Sequence, residues 1–250
     1  MNIRFLGTGT STGVPHIGCA CPVCTSSDMK NQRLRTSALF TEGEQSVLID
    51  CGPDFRQQAL LAQITHLDAV LITHEHYDHM WGIDDLRTLG NNNIYAEKRV
   101  LDTLKKNMPY CFGENRYPGS PILQLHEVTP FQSFTLKSIE ITPIRVMHAR
   151  LPILGYRLNN CADITDMKSM DEEVMQHLQG LDVLIINALR HTPHPSHINL
   201  DEACEWAQRI GASHTYLTHC SHDIGLYQDV EAHLPDNIHL AYDGLILTNI

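Results

Sequence analysis

The chain has 250 residues, which is enough for one large domain or two small ones and for a substantial buried core. Its formal net charge is −11 with histidine counted as neutral. This argues against general nucleic-acid binding, because nucleic-acid-binding surfaces need clustered lysine and arginine. The N-terminus lacks a signal-peptide apolar region, and no run approaches the ~18 apolar residues of a membrane span, so we expect a cytoplasmic protein with no membrane association.

The first half of the chain is predicted to contain strands and three helices. Strand patterns cover residues 3–7, 37–42, 46–50 and 67–72, with the second and third forming a hairpin that turns at Gly43-Glu44. Helical patterns cover residues 54–64 and 97–107, and a helix is expected to start near Met80.

The second half repeats this alternation. Strands are predicted at residues 122–128, 131–136, 138–146, 155–158, 181–187 and 214–218, with a short closing strand pair at 238–241 and 245–248. Helices are predicted at 171–178 and 200–210. This order favours one domain, residues 1–250, in which two sheets pack face to face with helices outside.

The segment Thr73-His74-Glu75-His76-Tyr77-Asp78-His79 carries the strongest functional signal. It follows a buried strand and precedes a helix, a common position for a site in an α/β fold. Imidazoles and carboxylates at this density need polar partners or a cation once they are buried. His74 and His76 need not point the same way as Asp78 and His79, so the loop can supply two metal ions.

This motif resembles that of the metallo-β-lactamase superfamily. The resemblance implies an α/β (α+β) fold, a metallo-β-lactamase-like αββα sandwich of two mixed β-sheets flanked by helices, over essentially the whole chain. The family also needs a later histidine, an acidic residue and a last histidine, which His148, Asp166 and His219 supply in order. Asp163 is an alternative acidic residue, and Asp166 is preferred because Thr165-Asp166 matches the family's hydroxyl–Asp pattern.

The resemblance implies two divalent ions, zinc or manganese. It assigns His74, His76 and His148 to one ion, and Asp78, His79 and His219 to the other, with Asp166 bridging both. Two ions ~3.5–4 Å apart lower the pKa of a bridging water and clamp the attacking and leaving oxygens, so Asp78 and Asp166 count as catalytic and a metal-bridging hydroxide is the expected nucleophile. Asp50 is expected to orient a ligand histidine.

Two further segments are candidates for substrate chemistry. The leaving group needs a general acid, and His197 matches a catalytic histidine of the family's phosphodiesterase branch, with His194 as the alternative. The loop Gly7-Thr8-Gly9-Thr10-Ser11-Thr12-Gly13 resembles an anion nest that could contact phosphate, although such glycine-rich turns are common.

Cys19, Cys21 and Cys24 form a second cluster. Thiolates at this density select a soft or borderline ion, with zinc the first choice, and three of them leave a tetrahedral site one ligand short. CxCxxC after a glycine-rich loop resembles the phosphoribosyl 1,2-cyclic phosphate phosphodiesterase branch, in which the matching residue, here His222, completes a structural zinc site. Most of the five scattered cysteines are expected to be small buried hydrophobic residues, and no disulfides are expected.

The favoured function is therefore a dinuclear phosphodiesterase, a metal-dependent hydrolase acting on a small cyclic or diester phosphate. A tRNA 3′-processing-type metallo-ribonuclease shares the main motifs, but the acidic charge and the lack of a long basic insertion argue against nucleic acid as a partner. A non-catalytic metal-binding protein is the alternative outside enzymes. The resemblance is compatible with a homodimer.

Overall fold

Two seven-stranded β-sheets face each other in the computed structural model, which describes residues 1–113 and 116–250. The strands of the first sheet are β1 (Asn2–Gly7), β2 (Ser37–Glu42), β3 (Gln45–Ile49), β4 (Ala69–Leu71), β5 (Asn91–Ala96), β6 (Ile122–Glu127) and β14 (Ile246–Leu247). Those of the second sheet are β7 (Phe134–Leu136), β8 (Ile139–His148), β9 (Leu151–Leu158), β10 (Cys161–Ile164), β11 (Val183–Asn187), β12 (His214–Thr218) and β13 (Ile238–Leu240).

Each sheet combines an antiparallel half with a parallel half. The spatial orders are β14-β1-β2-β3-β4-β5-β6 and β13-β12-β11-β10-β9-β8-β7. Neighbours from β3 to β6 are parallel, and so are neighbours from β10 to β13. The carboxyl ends of parallel strands meet at one edge of a sheet, which is where open α/β sheets place their binding sites.

The helices are α1 (Phe55–Ala62), α2 (Tyr77–Met80), α3 (Lys98–Asn107), α4 (Leu200–Ile210) and α5 (Tyr227–Glu231). Helix α4 starts at a capping box, in which the Asn199 side chain accepts from the Glu202 N–H and the Glu202 side chain accepts from the Asn199 N–H, and it ends at the left-handed Gly211. None of the helices in the described residues is long and apolar enough to cross a membrane.

Strand alternation divides the apolar side chains among three layers. Val47 and Ile49 of β3 pack into the core between the sheets together with Ile185 of β11. Leu48, between them in sequence, faces the outer layer that contains α3, and Ile186 faces the layer that contains α4. Helices thus cover both outer faces, and the predicted αββα sandwich of two mixed sheets is confirmed.

Most predicted elements are present, and the differences have local causes. Strand β5 escaped prediction because it opens with Asn91-Asn92-Asn93, which has none of the usual strand-forming residues. Residues 171–178 are mainly a 3₁₀ helix, Glu172–Leu178, and the helix expected near Met80 is α2 followed by a second 3₁₀ helix, Ile83–Thr88. The predicted closing strand pair is wrong, because β13 joins β12 and β14 joins β1 in the other sheet.

Tyr156 ties the two sheets together beside the histidine-rich loop. Its ring is fully buried in the central core, and its hydroxyl donates a hydrogen bond of 2.8 Å to the carbonyl oxygen of Ile72. The next residue, Thr73, accepts a bond of 3.1 Å from the backbone N–H of Leu154. The strand end that leads into His74 is therefore held from the opposite sheet.

We expect Tyr156→Phe to destabilise the fold by about 1–3 kcal/mol, because it leaves the buried Ile72 carbonyl without this donor. For a chain of this size the melting temperature should fall by about 2–4 °C per kcal/mol. Tyr216→Phe is the matched control, since the Tyr216 hydroxyl makes no hydrogen bond within the described part of the chain. Thermal melts of both variants test the prediction, and equal melting temperatures would contradict it.

Candidate metal centre

Strand ends from both sheets bring the predicted active-site ligands together. The histidine-rich loop leaves β4 of the first sheet, and the other ligands leave strands of the second sheet. They are His74, His76, Asp78 and His79 after β4, His148 at the end of β8, Asp166 after β10 and His219 after β12. Residues from positions 74 to 219 thus share one site because the carboxyl ends of these strands face each other.

Asp166 belongs to three groups of potential metal ligands. Within each group, the ligand atoms all lie within 4.8 Å of one another. The groups are Asp78, His79, Asp166 and His219; His74, His76 and Asp166; and His148, Asp166 and His197. Asp166 Oδ1 lies 2.8 Å from His219 Nε2, and Asp166 Oδ2 lies 3.2 Å from His79 Nε2 and 3.5 Å from His74 Nε2. One carboxylate therefore touches both halves of the predicted site.

The unpaired atoms at this centre fit metal ions. His74 Nε2, His79 Nε2 and Asp166 Oδ1 are buried and have no hydrogen-bond partner among the described residues. Leaving buried polar atoms unpaired is costly, and a cation between imidazole nitrogens and a carboxylate satisfies them together. Imidazole and carboxylate donors suit zinc, manganese or iron in the divalent state.

Charge coupling inside the centre also favours a cation. Burial lowers the pKa of His79, but Asp78, Asp166 and Asp50 outweigh that effect and hold this pKa well above its usual range. Burial likewise opposes the charge on His219, yet Asp166 raises its pKa to about 9. A bound ion has to displace these protons, so metal affinity should rise with pH.

Outer partners fix the orientation of two ligand rings. Asp50 accepts a hydrogen bond of 2.6 Å from His79 Nδ1, which leaves Nε2 facing the centre. Asp50 also accepts from the backbone N–H and hydroxyl of the buried Thr73, at 2.9 Å each. His148 Nδ1 donates to the carbonyl oxygen of Asp166 at 2.9 Å. Asp50 thus makes the contact with His79 that its predicted orienting role requires. Thr73, which precedes His74, was not among the predicted site residues.

Three residues at or beside the metal centre have a strained backbone conformation. Asp50, Asp166 and His219 have φ of 59°, 64° and 55°, the left-handed region that residues other than glycine seldom occupy. Each follows the carboxyl end of a strand, where a sharp turn directs Asp166 and His219 into the centre and Asp50 onto the outer nitrogen of His79. Such conformations persist where surrounding contacts impose them, and they cluster at functional sites.

Both candidates for the general acid lie beside the centre. The His197 ring centroid is 4.7 Å from that of His148 and 5.0 Å from that of His219, and the side chain is buried. Burial lowers the pKa of His197 to about 3, although Asp166 opposes the shift. The His194 ring centroid is 5.1 Å from that of His197, and His194 is more exposed.

Asp163 belongs to a different environment from Asp166. It is buried, and its Oδ1 accepts a hydrogen bond of 2.7 Å from the Thr165 hydroxyl. Burial raises the pKa of Asp163 to about 7. It is in none of the groups of potential metal ligands found among the described residues. The geometry therefore agrees with the choice of Asp166 over Asp163.

The cysteine cluster closes around His222, the residue that the resemblance assigns to it. Cys19 Sγ and Cys21 Sγ each lie 3.4 Å from His222 Nδ1, and Cys24 Sγ completes a group within 4.8 Å. Cys24 Sγ also accepts from the backbone N–H of His16 at 3.3 Å. Hydrogen bonds from the Cys24 backbone N–H and from His222 lower the pKa of Cys21 to about 6, which favours the thiolate. Three thiols and one imidazole are the ligand set of a tetrahedral structural zinc site.

His219 and His222 serve different clusters because the chain turns sharply between them. The left-handed His219 points to Asp166, and the next residue, Cys220, is held by a hydrogen bond of 2.9 Å from its N–H to the carbonyl oxygen of Thr8. Ser221 donates to the carbonyl oxygen of Leu189, which directs His222 away from the first centre.

The loop at residues 7–13, which was expected to form an anion nest, uses four of its N–H groups within the protein. The N–H groups of Thr8, Gly9, Thr10 and Gly13 all donate to oxygens of the protein itself, so these donors are not free for phosphate. Gly7 is needed for packing, since a Cβ there would lie 2.0 Å from the carbonyl oxygen of Arg35. This loop supports the turn at His219 and Cys220.

The chain belongs to the metallo-β-lactamase superfamily, because the family model for the β-lactamase superfamily domain matches residues 45–220. Within that superfamily it is close to the PhnP branch. A diphosphatase from the PhnP family is similar over 100% of this chain and 98% of its own, with a TM-score of 0.92 and 38% identity. Zinc-bound PqqB from Methylobacterium extorquens shares the fold, with a TM-score of 0.81 and 19% identity over 100% of both chains.

A curated relative is longer than this chain. An octanoyltransferase from Porphyromonas gingivalis is 47% identical over 250 residues, which cover 98% of this chain and 51% of that protein. The chain therefore spans about half the length of this relative.

Asp166→Asn should lose divalent metal from this centre, because the neutral amide replaces the charged carboxylate that lies next to His74, His79 and His219. Metal affinity should weaken by at least the ~10–100-fold typical of changes to residues that support ligands. Asp163→Asn is the matched control and should retain the metals. Metal content measured after dialysis tests the pair, and retention by Asp166→Asn with loss by Asp163→Asn would show that the acidic ligand is Asp163.

His222→Ala should release one zinc ion per chain while the ions at Asp166 stay bound. The cysteine loop and β12 are distant in sequence, so binding energy at this cluster contributes to folding. Even a loss of ~2 kcal/mol should lower the melting temperature by about 4–8 °C. His16→Ala is the control, because His16 contacts His222 edge-on without belonging to the cluster. Unchanged zinc content in His222→Ala would exclude His222 as the fourth ligand.

Proposed function

We propose that the protein is a metal-dependent phosphoric diester hydrolase that cleaves a small phosphorylated substrate. The observation that supports this most is the position of Asp166, whose carboxylate lies next to imidazoles of both groups, His219 at Oδ1 and both His79 and His74 at Oδ2. In this proposal His74, His76 and His148 hold one ion, Asp78, His79 and His219 hold the second, and Asp166 bridges them. The two ions are zinc or manganese, and Cys19, Cys21, Cys24 and His222 hold a structural zinc.

Two bound divalent ions supply a nucleophile at neutral pH and neutralise charge that develops on the phosphoryl oxygens. The protein orients this chemistry through Asp50, which fixes the tautomer of His79, and through the Asp166 carbonyl, which fixes His148. His197 is the proposed general acid for the leaving oxygen. Burial keeps its imidazole neutral in the free enzyme, and a substrate phosphate beside it would raise its pKa and favour protonation.

Two other activities are less well supported. The name octanoyltransferase describes a protein about twice as long, so that activity need not belong to the half matched here. A tRNA-processing role needs a basic surface for the nucleic-acid backbone, and the chain carries a net charge of −11. The 38% identity to a PhnP-family diphosphatase favours a small phosphorylated molecule as the substrate. A diphosphate bond is the alternative to a phosphodiester bond as the bond that is cleaved.

The proposal is tested by loading purified protein with zinc or manganese and assaying bis(p-nitrophenyl) phosphate, phosphoribosyl 1,2-cyclic phosphate and a small organic diphosphate. Metal-dependent hydrolysis of a diester is the expected result. Exclusive cleavage of the diphosphate would show that the enzyme attacks a diphosphate bond and not a phosphodiester bond. Two bound ions without hydrolysis of any substrate would favour a non-catalytic metal-binding protein.

His197→Ala should keep both active-site ions and lose about 10²–10⁴-fold in rate on the cyclic phosphate, whose alkoxide leaving group needs a proton. Bis(p-nitrophenyl) phosphate should suffer much less, because p-nitrophenolate leaves without one. His191→Ala, in the same loop but outside the metal-ligand groups, is the control. Equal losses on both substrates would assign His197 a positioning role, and a leaving-group-dependent loss confined to His194→Ala would make His194 the acid.

A further inference from the structure

Asn187, the last residue of β11, is a buried polar residue that the proposed chemistry does not use. The residue is fully buried. Its Oδ1 accepts a hydrogen bond of 2.8 Å from the backbone N–H of Met167, and its Nδ2 donates one of 3.0 Å to the carbonyl oxygen of Met167. A buried amide is costly unless its polar atoms are paired, and here the backbone of a single residue pairs both ends. The side chain therefore holds the residue that directly follows Asp166.

The first of these bonds fixes the peptide unit between Asp166 and Met167. A peptide unit is planar, so its N–H and its carbonyl group turn together. The N–H is held by Asn187, and the carbonyl oxygen, which belongs to Asp166, accepts the hydrogen bond of 2.9 Å from His148 Nδ1. The left-handed backbone of Asp166 also needs contacts that impose it. Asn187 supplies such a contact and, through the same peptide unit, supports the orientation of His148.

The second bond connects Asn187 to the loop of the proposed general acid. The carbonyl oxygen of Met167 also accepts a hydrogen bond of 3.1 Å from the backbone N–H of Ile198, the residue after His197. The carbonyl oxygen of Ile198 accepts one of 3.1 Å from the N–H of Leu189, which lies just beyond β11. One carbonyl group thus joins the Asn187 amide to the backbone beside His197.

We propose that Asn187 is a positioning residue, which sets the position of His197 relative to the metal ligands Asp166 and His148. The part of this inference that concerns His197 rests on the proposed hydrolase function. The backbone of Met167 needs one acceptor and one donor, and an asparagine supplies both, whereas leucine supplies neither. Residues that orient metal ligands typically contribute 10–100-fold to metal affinity or activity.

The metal test measures cobalt(II) binding at the Asp166 centre in protein whose cysteine cluster already holds zinc. Asn187→Leu keeps a similar side-chain shape and removes both hydrogen bonds. Its cobalt affinity should weaken by ~10–100-fold, and the visible absorption of the bound cobalt should change because the ligands move. Asn187→Ala removes the same bonds and takes its place if the leucine variant does not fold.

Asn92→Leu is the matched control for loss of a buried amide. Asn92 is also buried, and its Nδ2 donates to the carbonyl oxygens of Leu86 and Gly90. It lies near the amino end of β5, whereas the metal ligands follow the carboxyl ends of their strands. Both leucine variants should melt at lower temperature, but only Asn187→Leu should change the cobalt site. Wild-type cobalt affinity and absorption in a folded Asn187 variant would overturn the proposal.

The kinetic test compares phosphoribosyl 1,2-cyclic phosphate with bis(p-nitrophenyl) phosphate. Asn187→Leu should slow both reactions, and the ratio of the two rates should fall by ~10–100-fold, because a shift of about 1 Å in an acid needed for the alkoxide leaving group can cost 10²-fold. Equal losses on both substrates would overturn the link to His197. If the wild-type protein hydrolyses neither substrate, the proposed hydrolase fails, and the cobalt measurements still decide whether Asn187 positions the metal ligands.

Discussion

The charge of the buried Asp166 carboxylate determines how the surrounding histidines of the site are arranged and protonated. Burial opposes its charge, but His219 and His79 hold its pKa well below the usual range. Its oxygens face imidazoles from both sheets, and several of the surrounding nitrogens have no hydrogen-bond partner in the described chain. Positive charge has to compensate this buried carboxylate, either on the protonated His79 and His219 or on a bound cation that replaces their protons.

The end of β12 connects this centre to the cysteine cluster. His219 contacts Asp166, while His222, three residues later, closes the group of Cys19, Cys21 and Cys24. The N-terminal glycine loop holds the turn between them through the bonds at Thr8 and Thr10 to Cys220. A structural zinc would therefore fix the position of an active-site ligand as well as the fold.

Local patterns in the sequence located the two candidate clusters, because the histidine-rich loop and the CxCxxC segment each carry several possible ligands within a few residues. The later ligands His148, Asp166 and His219 depended on the family resemblance. The spacing of His74 to His79 and the CxCxxC cluster needed no knowledge of distant contacts. The function of the glycine loop could not be predicted in this way, because the partners of Thr8 and Gly9 lie at Asp243 and Leu34. The left-handed backbone of Asp50 and His219 was likewise beyond local patterns, since distant contacts impose it.

In the proposed function Asp166 holds a pair of divalent ions, and anomalous diffraction from crystals of the zinc-loaded wild-type protein tests this arrangement. We expect two anomalous peaks ~3.5–4 Å apart on either side of Asp166, with a third peak among Cys19, Cys21, Cys24 and His222. A single peak that Asp166 does not contact, or an ordered site without anomalous density at full zinc loading, would contradict the account.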